Sequence, residues 1–490
     1  SDISKASDQT FYLDARVNYD RQFNLHHVTG MLMYMQREYR SSVLPERNQG
    51  FSGRFTYDYG QRYLVELNFG YNGTERLAKK ERFEFFPAVS LGWVISNEKF
   101  FEPMTKYIDN LKIRGSYGLV GSDETGLSAG AQHFLYIDQV SLNNIGFTTG
   151  VDMNYTLYGP LVTNYAVVNG GWERVKKLDI GIDLELFRQL TITADYFNEK
   201  RYNILLHREA WPESLGYYTA KPWSNKGKVD NWGIELSVNW RKEFTKDLYV
   251  DFRGNFTYTE NKYVNLDEPV YPYVWKTSTG KPLSRTTGYI AQGLFSSQEE
   301  IDNSPTQNLG STVKPGDIKY RDVNGDGKID GSDQVMISPY GTTPRIQYGL
   351  GMNVTYKKFD FGVFFNGSAK RTIMISGISP FGQSDYNVMQ FIADDYWSES
   401  NPNPNAKYPR LGLTSSQTAN NTVASTYWMR NGNFIRFKTL ELGYKFKYGR
   451  VYLNGDNIAV FSPFKLWDPE LSWNAYPLQR TFNIGVQLNF

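Results

Sequence analysis

The sequence predicts an all-β fold: a transmembrane antiparallel β-barrel with long extracellular loops. Three observations support this prediction, namely the amino-acid composition, segments in which apolar and polar residues alternate, and short connections that alternate with long ones. Together they favour a wall of strands with one face in lipid and the other in water.

The composition is unusually aromatic for a polar chain. Of 490 residues, 16% are aromatic, including 36 Tyr, 31 Phe and 11 Trp, yet the mean hydropathy is −0.51. An outer-membrane barrel combines aromatic girdles at the membrane interfaces with a polar lumen, and that combination explains both values. The sequence contains no run of 18 or more apolar residues, which excludes a helical membrane protein.

Charge, cysteine content and the motifs that are absent argue against several classes of function. Lys and Arg total 53 and Asp and Glu total 51, so no strong field indicates nucleic acid as a partner. Without cysteine there is neither a disulfide framework nor a thiolate site. No P-loop, Rossmann fingerprint or G-x-S-x-G motif occurs. We therefore expect no enzyme and no catalytic residues. The four histidines lack metal-ligand spacing; they are His26, His27, His133 and His207.

Period-two alternation over about ten residues is the strongest local signal. Around Leu178, we expect the apolar side chains to face lipid, and Asp179, Asp183 and Glu185 to face the lumen. A soluble sandwich also alternates, but charged residues recur on the polar face of successive strands, and Trp or Tyr often ends the apolar face, as interfacial girdles require. The apolar set is Leu178, Ile180, Ile182, Leu184 and Leu186.

The spacing of these segments predicts about 15 strands, joined alternately by short and long connections. Outer-membrane barrels have short periplasmic turns and long extracellular loops, so the alternation assigns the two sides. Residues 261–343 then form an extracellular loop region. The predicted starts lie near residues 11, 24, 50, 62, 83, 110, 171, 190, 227, 247, 344, 359, 433, 449 and 479, and the long connections cover roughly 121–170, 207–226, 261–343 and 372–432.

The odd strand number has a topological implication. Counting back from Phe490 at the periplasmic face places Ser1 in an extracellular loop, and residues 1–10 do not form a signal peptide. Single-chain bacterial barrels have even strand numbers, and an open sheet would expose unpaired backbone to lipid. We therefore expect strands outside this sequence to complete the barrel, either in a cleaved segment or in the same chain before Ser1.

One motif, DVNGDGKIDGSD at residues 322–333, fits the calcium-loop template. The oxygens at alternate positions can converge on a hard cation because Gly327 allows a sharp turn, and the ligand at Lys328 is its backbone carbonyl. Asp333 replaces the usual bidentate Glu, and the flanks around Ile318 and Val335 look extended rather than helical. The alternative is an acidic turn without metal. We expect structural calcium, with ligands Asp322, Asn324, Asp326, Lys328, Asp330 and Asp333.

Several segments resemble the C-terminal barrel region of SusC/RagA-like TonB-dependent transporters, which import glycans or oligopeptides. The resemblance follows the same order along nearly the whole chain, 1–490. The matching segments are FPAVSLGWVISNEKFF (86–101), LKIRGSYGLVGSDETG (111–126), WERVKKLDIGIDLELF (172–187), NKGKVDNWGIELSVNW (225–240), GDIKYRDVNGDGKIDGSDQVMI (316–337) and YPLQRTFNIGVQLNF (476–490).

The resemblance implies a 22-stranded barrel around a plug, of which about seven strands and the plug are absent here. It also implies outer-membrane localisation, a SusD-like surface lipoprotein as lid, the TonB complex as energy source, and an oligosaccharide or oligopeptide substrate. Phe490 resembles a C-terminal assembly signal, although alternation alone makes it one more lipid-facing Phe. A passive porin and a structural or adhesin barrel are the alternatives.

Aromatic residues are concentrated in the predicted extracellular loops. Their rings could stack on sugar faces or peptide side chains, or could pack the loops together or against a lid. We prefer packing for any single residue, so the sequence assigns no substrate-binding residue. The aromatic residues are Trp211, Tyr217, Tyr218, Trp223, Tyr271, Tyr273, Trp275, Tyr396 and Trp397.

Overall fold

The structure is a computed structural model. It describes residues 8–40, 45–124, 135–167, 170–212, 214, 221–375, 388–412, 414–472 and 475–489. Within these ranges, no helix is long and apolar enough to cross a membrane. Five residues singled out from the sequence lie outside the described residues: Ser1, His133, Tyr217, Tyr218 and Phe490.

Strands dominate the described residues. They are β1 (Gln9–Phe23), β2 (His26–Arg40), β3 (Glu46–Tyr59), β4 (Tyr63–Thr74), β5 (Phe83–Val94), β6 (Ile108–Ser122), β7 (Gln139–Thr149), β8 (Tyr155–Asn164), β9 (Glu173–Leu186), β10 (Leu190–His207), β11 (Trp223–Thr245), β12 (Leu248–Asn265), β13 (Thr286–Gly288), β14 (Ala291–Leu294), β15 (Thr306–Gln307), β16 (Ile318–Tyr320), β17 (Lys328–Ile329), β18 (Val335–Ser338), β19 (Ile346–Tyr356), β20 (Phe359–Ala369), β21 (Thr372–Met374), β22 (Met429–Asn431), β23 (Phe434–Phe446), β24 (Gly449–Phe461) and β25 (Thr481–Leu488).

The helices are short. Among the described residues, the α-helices are α1 (Gln298–Asp302), α2 (Gln390–Ala393) and α3 (Ser415–Thr422), and the 3₁₀ turns are Ile95–Asn97, Lys99–Met104, Val274–Lys276 and Gly331–Asp333.

The largest sheet in the described part of the chain has 15 strands, in the order β1-β2-β3-β4-β5-β6-β9-β10-β11-β12-β19-β20-β23-β24-β25. Each predicted strand start falls within a few residues of an observed one, so the predicted number and positions are confirmed. The chain divides into two compact units. Unit 1 comprises Ser1–Ser237 with Thr259–Val270, and unit 2 comprises Val238–Tyr258 with Tyr271–Phe490.

The structure differs from the predicted connections in several details. The predicted connection 207–226 overlaps β11, which begins at Trp223, and the predicted connection 372–432 contains the paired strands β21 and β22. β12 continues to Asn265, so the predicted loop region 261–343 begins inside a strand. The predicted loop 121–170 contains the β7–β8 hairpin, whose register shifts between Gln139 and Val140, between Ser141 and Asn144, and between Ile145 and Phe147. These irregularities interrupt the period-two pattern, which explains why the pattern did not reveal the hairpin.

In unit 1, the alternation in β9 gives the sheet one apolar face. Ile180 and Ile182 are 47% and 44% exposed, and Ile182 lies opposite Ile113 of β6 and Ala194 of β10. Opposite residues of an antiparallel pair share a face, so the apolar surface continues from strand to strand.

The other face of the same strands carries ion pairs. Arg114 of β6 lies 3.1 Å from Asp179 and 3.3 Å from Asp183 on β9, and 2.5 Å from Asp195 on β10. The pair between Arg114 and Asp195 crosses β9 at Gly181, where a Cβ atom would lie 2.2 Å from Asp195 Oδ1. A side chain at Gly181 would occupy the space of this ion pair. The predicted separation of charged and apolar faces in β9 is confirmed.

Unit 2 repeats the arrangement. Arg450 of β24 forms ion pairs with Asp360 of β20 and Glu441 of β23, while Leu442 and Leu453 are exposed on the opposite face. The main buried core of unit 2 lies in the segments that connect the strands of the large sheet, including the short strands within those segments. It contains Tyr289, Leu294, Ile318, Tyr320, Ile329, Ile373, Ile375, Ile392, Trp397, Ala406, Tyr408, Trp428 and Phe464.

Candidate functional site

The predicted calcium loop, residues 322–333, lies between β16 and β18, and its extended flanks are confirmed. Gly325 and Gly327 have φ angles of 76° and 80°. Only glycine adopts this left-handed region without steric cost. The sharp turn that the template requires at Gly327 is therefore present.

The oxygens in the first half of the loop accept hydrogen bonds from the loop's own backbone. Asp322 Oδ1 accepts from the Gly325 N–H at 2.6 Å, and its Oδ2 accepts from the Gly327 N–H at 2.8 Å. Asn324 Oδ1 accepts from the Asp326 N–H at 3.1 Å, and Asp326 Oδ1 accepts from the Lys328 N–H at 2.9 Å. These bonds fold the loop back on itself.

The second half closes the loop through a reciprocal cap. Asp330 Oδ1 accepts from the Ser332 N–H at 2.7 Å, and Asp333 Oδ2 accepts from the Asp330 N–H at 2.9 Å. Asp333 is fully buried, and its Oδ1 accepts from the Val323 N–H at 2.8 Å. The hydrogen bond from Ser332 lowers the pKa of Asp330. Asp333 therefore ties the end of the loop to its beginning.

The six predicted ligands lie along one loop, but their oxygen atoms do not surround a common point. Within the described residues, no three His, Asp or Glu side chains are grouped so that they could hold a metal ion. The donor set still suits calcium, because an ionised carboxylate offers about four lone-pair sites and the backbone bonds leave some of them available. Calcium binding at Asp322, Asn324, Asp326, Lys328, Asp330 and Asp333 stays a prediction.

The aromatic segment 271–276 of the predicted loop region contacts the calcium-type loop. Tyr273 Oη accepts from Asn324 Nδ2 at 3.0 Å, and Trp275 Nε1 donates to the Ser332 carbonyl at 2.8 Å. The Tyr273 and Trp275 rings stack with centroids 4.7 Å apart and planes 11° apart. Lys276 donates to the Gly331 carbonyl, and burial lowers the pKa of its ammonium group. The loop therefore fixes the position of the aromatic segment.

The loop is also joined to the core of unit 2. β17 pairs in parallel with β15, where the Thr306 N–H donates to the Gly327 carbonyl at 3.0 Å and the Asn308 N–H donates to the Ile329 carbonyl at 2.8 Å. Ile329 has no exposed surface. Any change in the shape of the loop would therefore reach the segment 306–308.

A buried polar network, which sequence reasoning missed, holds the surrounding connections together. Asp317 has no exposed surface; its Oδ1 lies 2.7 Å from Arg410 Nε and accepts from Asn421 Nδ2 at 2.6 Å. Asn420 Nδ2 donates to the Ile318 carbonyl at 2.9 Å. These partners are about a hundred residues apart in sequence, so no local pattern could have revealed them.

The aromatic residues noted in the sequence mostly pack within the protein. Trp397 is 5% exposed in the core of unit 2, and Tyr396 packs against that core. In unit 1 the Trp223 ring lies 3.6 Å from the His207 ring, and the Arg208 guanidinium lies over Trp211. These contacts favour the packing role over ligand stacking.

The sequence matches the family described as TonB dependent receptor-like, beta-barrel, over residues 4–458. TonB-dependent receptor SusC of Bacteroides thetaiotaomicron is 27% identical over 469 residues, which cover 90% of this chain and 43% of that protein. TonB-dependent receptor P3 of Formosa agariphila is 25% identical over 478 residues, covering 89% and 45%. The chain thus spans about half the length of the curated relatives it matches.

The fold is similar to that in the solved structure of the RagAB peptide transporter. The TM-score is 0.71 and the sequence identity 18%, and the match covers 99% of this chain and 55% of that one. At this identity the likeness concerns the fold alone. The family match, in contrast, extends over most of the chain and agrees with the two-faced sheet. The chain belongs to the TonB-dependent receptor-like β-barrel family, in the outer membrane of a Gram-negative bacterium, and the predicted SusC/RagA-like resemblance is confirmed by its similarity to SusC in sequence and to the RagAB transporter in fold.

Proposed function

We propose that the chain is the barrel part of a TonB-dependent active importer of nutrient oligomers, with glycans as the substrate class. A SusD-like surface lipoprotein serves as its lid, the TonB complex supplies the energy, and a plug with further strands completes the transporter. The observation that carries the proposal is the family match over residues 4–458. The 27% identity to SusC, over nearly the whole chain, supports the same assignment.

Oligopeptide import is the second candidate, favoured by the fold likeness to a transporter described as a peptide transporter. Deletion of the gene, followed by growth on single polysaccharides and on peptide mixtures, separates the two. Glycan import predicts that growth is lost on a particular polysaccharide and restored by the intact gene. Loss of growth on peptides alone would assign the second candidate. Normal growth together with loss of surface attachment would indicate an adhesin.

We also propose that calcium is a structural cofactor of the loop 322–333. The support is the spacing of oxygen-bearing residues from Asp322 to Asp333 and the left-handed Gly327 between them. Calcium prefers six to eight oxygen ligands from carboxylates, amides and backbone carbonyls, and this loop supplies all three kinds. In this role the metal would stiffen the loop beneath the segments 271–276 and 306–308.

A further inference from the structure

A polar cleft lies beside the calcium-type loop, within unit 2. Its volume is about 800 Å³, and it is lined by Phe295 after β14, by Gln298, Ile301 and Asp302 of α1, and by residues 304–308 and 310–313. This volume is within the range of pockets that hold drug-sized ligands. We call it the α1 cleft.

The α1 cleft has an apolar floor and a polar rim. Phe295 is 1% exposed, and the half-buried side chains of Ile301 and Val313 extend the apolar surface. Thr306, Asn308 and Thr312 are exposed on the rim. Their side chains form no hydrogen bond or ion pair with any other described residue.

The remaining polar groups of the cleft already have partners. Asp302 accepts from Gln298 Nε2 at 2.8 Å, Ser304 Oγ donates to the Glu300 carbonyl at 2.7 Å, and Ser311 Oγ accepts from the Asn420 N–H at 3.0 Å. No cationic side chain is among the lining residues. An anionic ligand would therefore find no countercharge there, whereas a neutral ligand would find two hydroxyls and one amide.

Hydrogen bonds to the interior of the protein fix the position of the rim. The backbone of Thr306 and Asn308 is bonded to β17, at Gly327 and Ile329. Between them, the buried Gln307 side chain donates to the Ile318 carbonyl at 2.9 Å and to Asn420 Oδ1 at 2.7 Å. A rim that is ordered before binding loses little conformational freedom when a ligand arrives.

We propose that the α1 cleft is a recognition subsite for a neutral oligosaccharide. The C–H face of a sugar ring lies on the floor formed by Ile301 and Val313. Its hydroxyls exchange hydrogen bonds with Thr306, Asn308 and Thr312, since hydroxyls and amides each donate and accept. This inference rests on the proposed function, import of glycans, and names the part of the chain that recognises them.

The test measures binding to the intact receptor in detergent. The probes are neutral oligosaccharides prepared from glucan, xylan and mannan, acidic oligogalacturonides, and a peptide mixture. The double variant Asn308→Ala/Thr312→Val removes rim groups without touching the core. The control is Asn303→Ala, an exposed neighbour outside the cleft lining. We expect a neutral oligosaccharide to bind the double variant about tenfold more weakly and the control normally.

The outcomes separate the subsite from the proposed function. If the double variant binds a neutral oligosaccharide as tightly as the parent receptor does, the subsite is wrong while glycan import stands. If the parent receptor binds only oligogalacturonides among the oligosaccharides, the neutral class is wrong. If it binds peptides and no oligosaccharide, both the subsite and the glycan proposal are overturned.

Discussion

At the scale of single residues, Asp317 is a buried charged group that joins two connections beside the core of unit 2. It is buried without exposed surface and is held by Arg410, Asn421 and the Lys314 N–H. Burial raises the pKa of Asp317, while the charge and hydrogen bonds of Arg410 oppose that rise. An unpaired buried carboxylate is costly, so the ionised form depends on Arg410.

Replacing Arg410 with Met should destabilise the core of unit 2 by about 3–5 kcal/mol near neutral pH. The folded-state pKa of Asp317 is raised above its unfolded value, so protonation favours the folded state. The loss of stability in the Arg410 variant should therefore be smallest below the unfolded pKa of Asp, about 3.9. It should grow as the pH rises through the folded-state pKa of Asp317. Hydrogen exchange of β16 measures the free energy of local opening at each pH.

Lys407→Met is the matched control, because Lys407 pairs with Asp395 at 3.4 Å while its side chain is 77% exposed. Exposed pairs of this kind contribute little, so exchange of β16 should be unchanged. A pH-independent defect in the Arg410 variant would contradict the role assigned to Asp317.

At the scale of strands, the sequence predicted the structure well, because the alternation of apolar and polar residues is a local pattern. In β9, the side of each side chain follows from period two alone, and the structure places Ile182 and Asp183 on opposite faces as expected. The β7–β8 hairpin was not predicted, because its register shifts three times and these shifts interrupt the period-two pattern. The network around Asp317 was not predicted, because the partners of Asp317, Arg410 and Asn421, lie in a different connection.

Ile182→Arg tests the assignment of the apolar face to lipid. The substitution should cost roughly 2–4 kcal/mol if Ile182 lies near the bilayer midplane. Thr193→Arg is the control: it lies opposite Asp183, on the charged face of the neighbouring strand, and should cost much less. Folding into lipid vesicles at increasing urea gives both free energies. Equal costs would contradict the assignment of one face to lipid, and a larger cost at Thr193 would reverse the orientation of the sheet.

At the scale of the loop, calcium was predicted from spacing, and its effect can be measured directly. Calcium should slow hydrogen exchange in the loop 322–333 and in the segment 306–308 bonded to it. Asp326→Ala should abolish this protection because it removes a ligand oxygen. Glu299→Ala, an exposed acidic residue on α1, should leave it intact. The large sheet should be unaffected by either change.

The calcium prediction fails if the unmodified protein exchanges at the same rate in this loop with calcium and with a chelator. In that case Asp322 and Asp333 would hold the loop through their backbone hydrogen bonds alone. The acidic, glycine-rich turn considered as the alternative would then be correct.

For the whole molecule, the sequence predicted the fold more completely than the recognition surface. Strand number, strand position and the two faces follow from local alternation, and the family match agrees with them. The buried core of unit 2 was not foreseeable, since it joins Tyr289 and Ile318 of one long connection to Trp428 of another. The α1 cleft depends on that core for its shape, so the cleft could be found only from the structure.

We propose that the transporter containing this chain imports its substrate actively. Uptake of a labelled oligosaccharide that supports growth tests this claim directly, in cells with the intact gene, with the gene deleted, and with TonB inactivated. Active import predicts uptake in the first strain and loss of uptake in both others. Uptake that depends on the gene but continues without TonB would contradict active import and assign the protein as a passive channel.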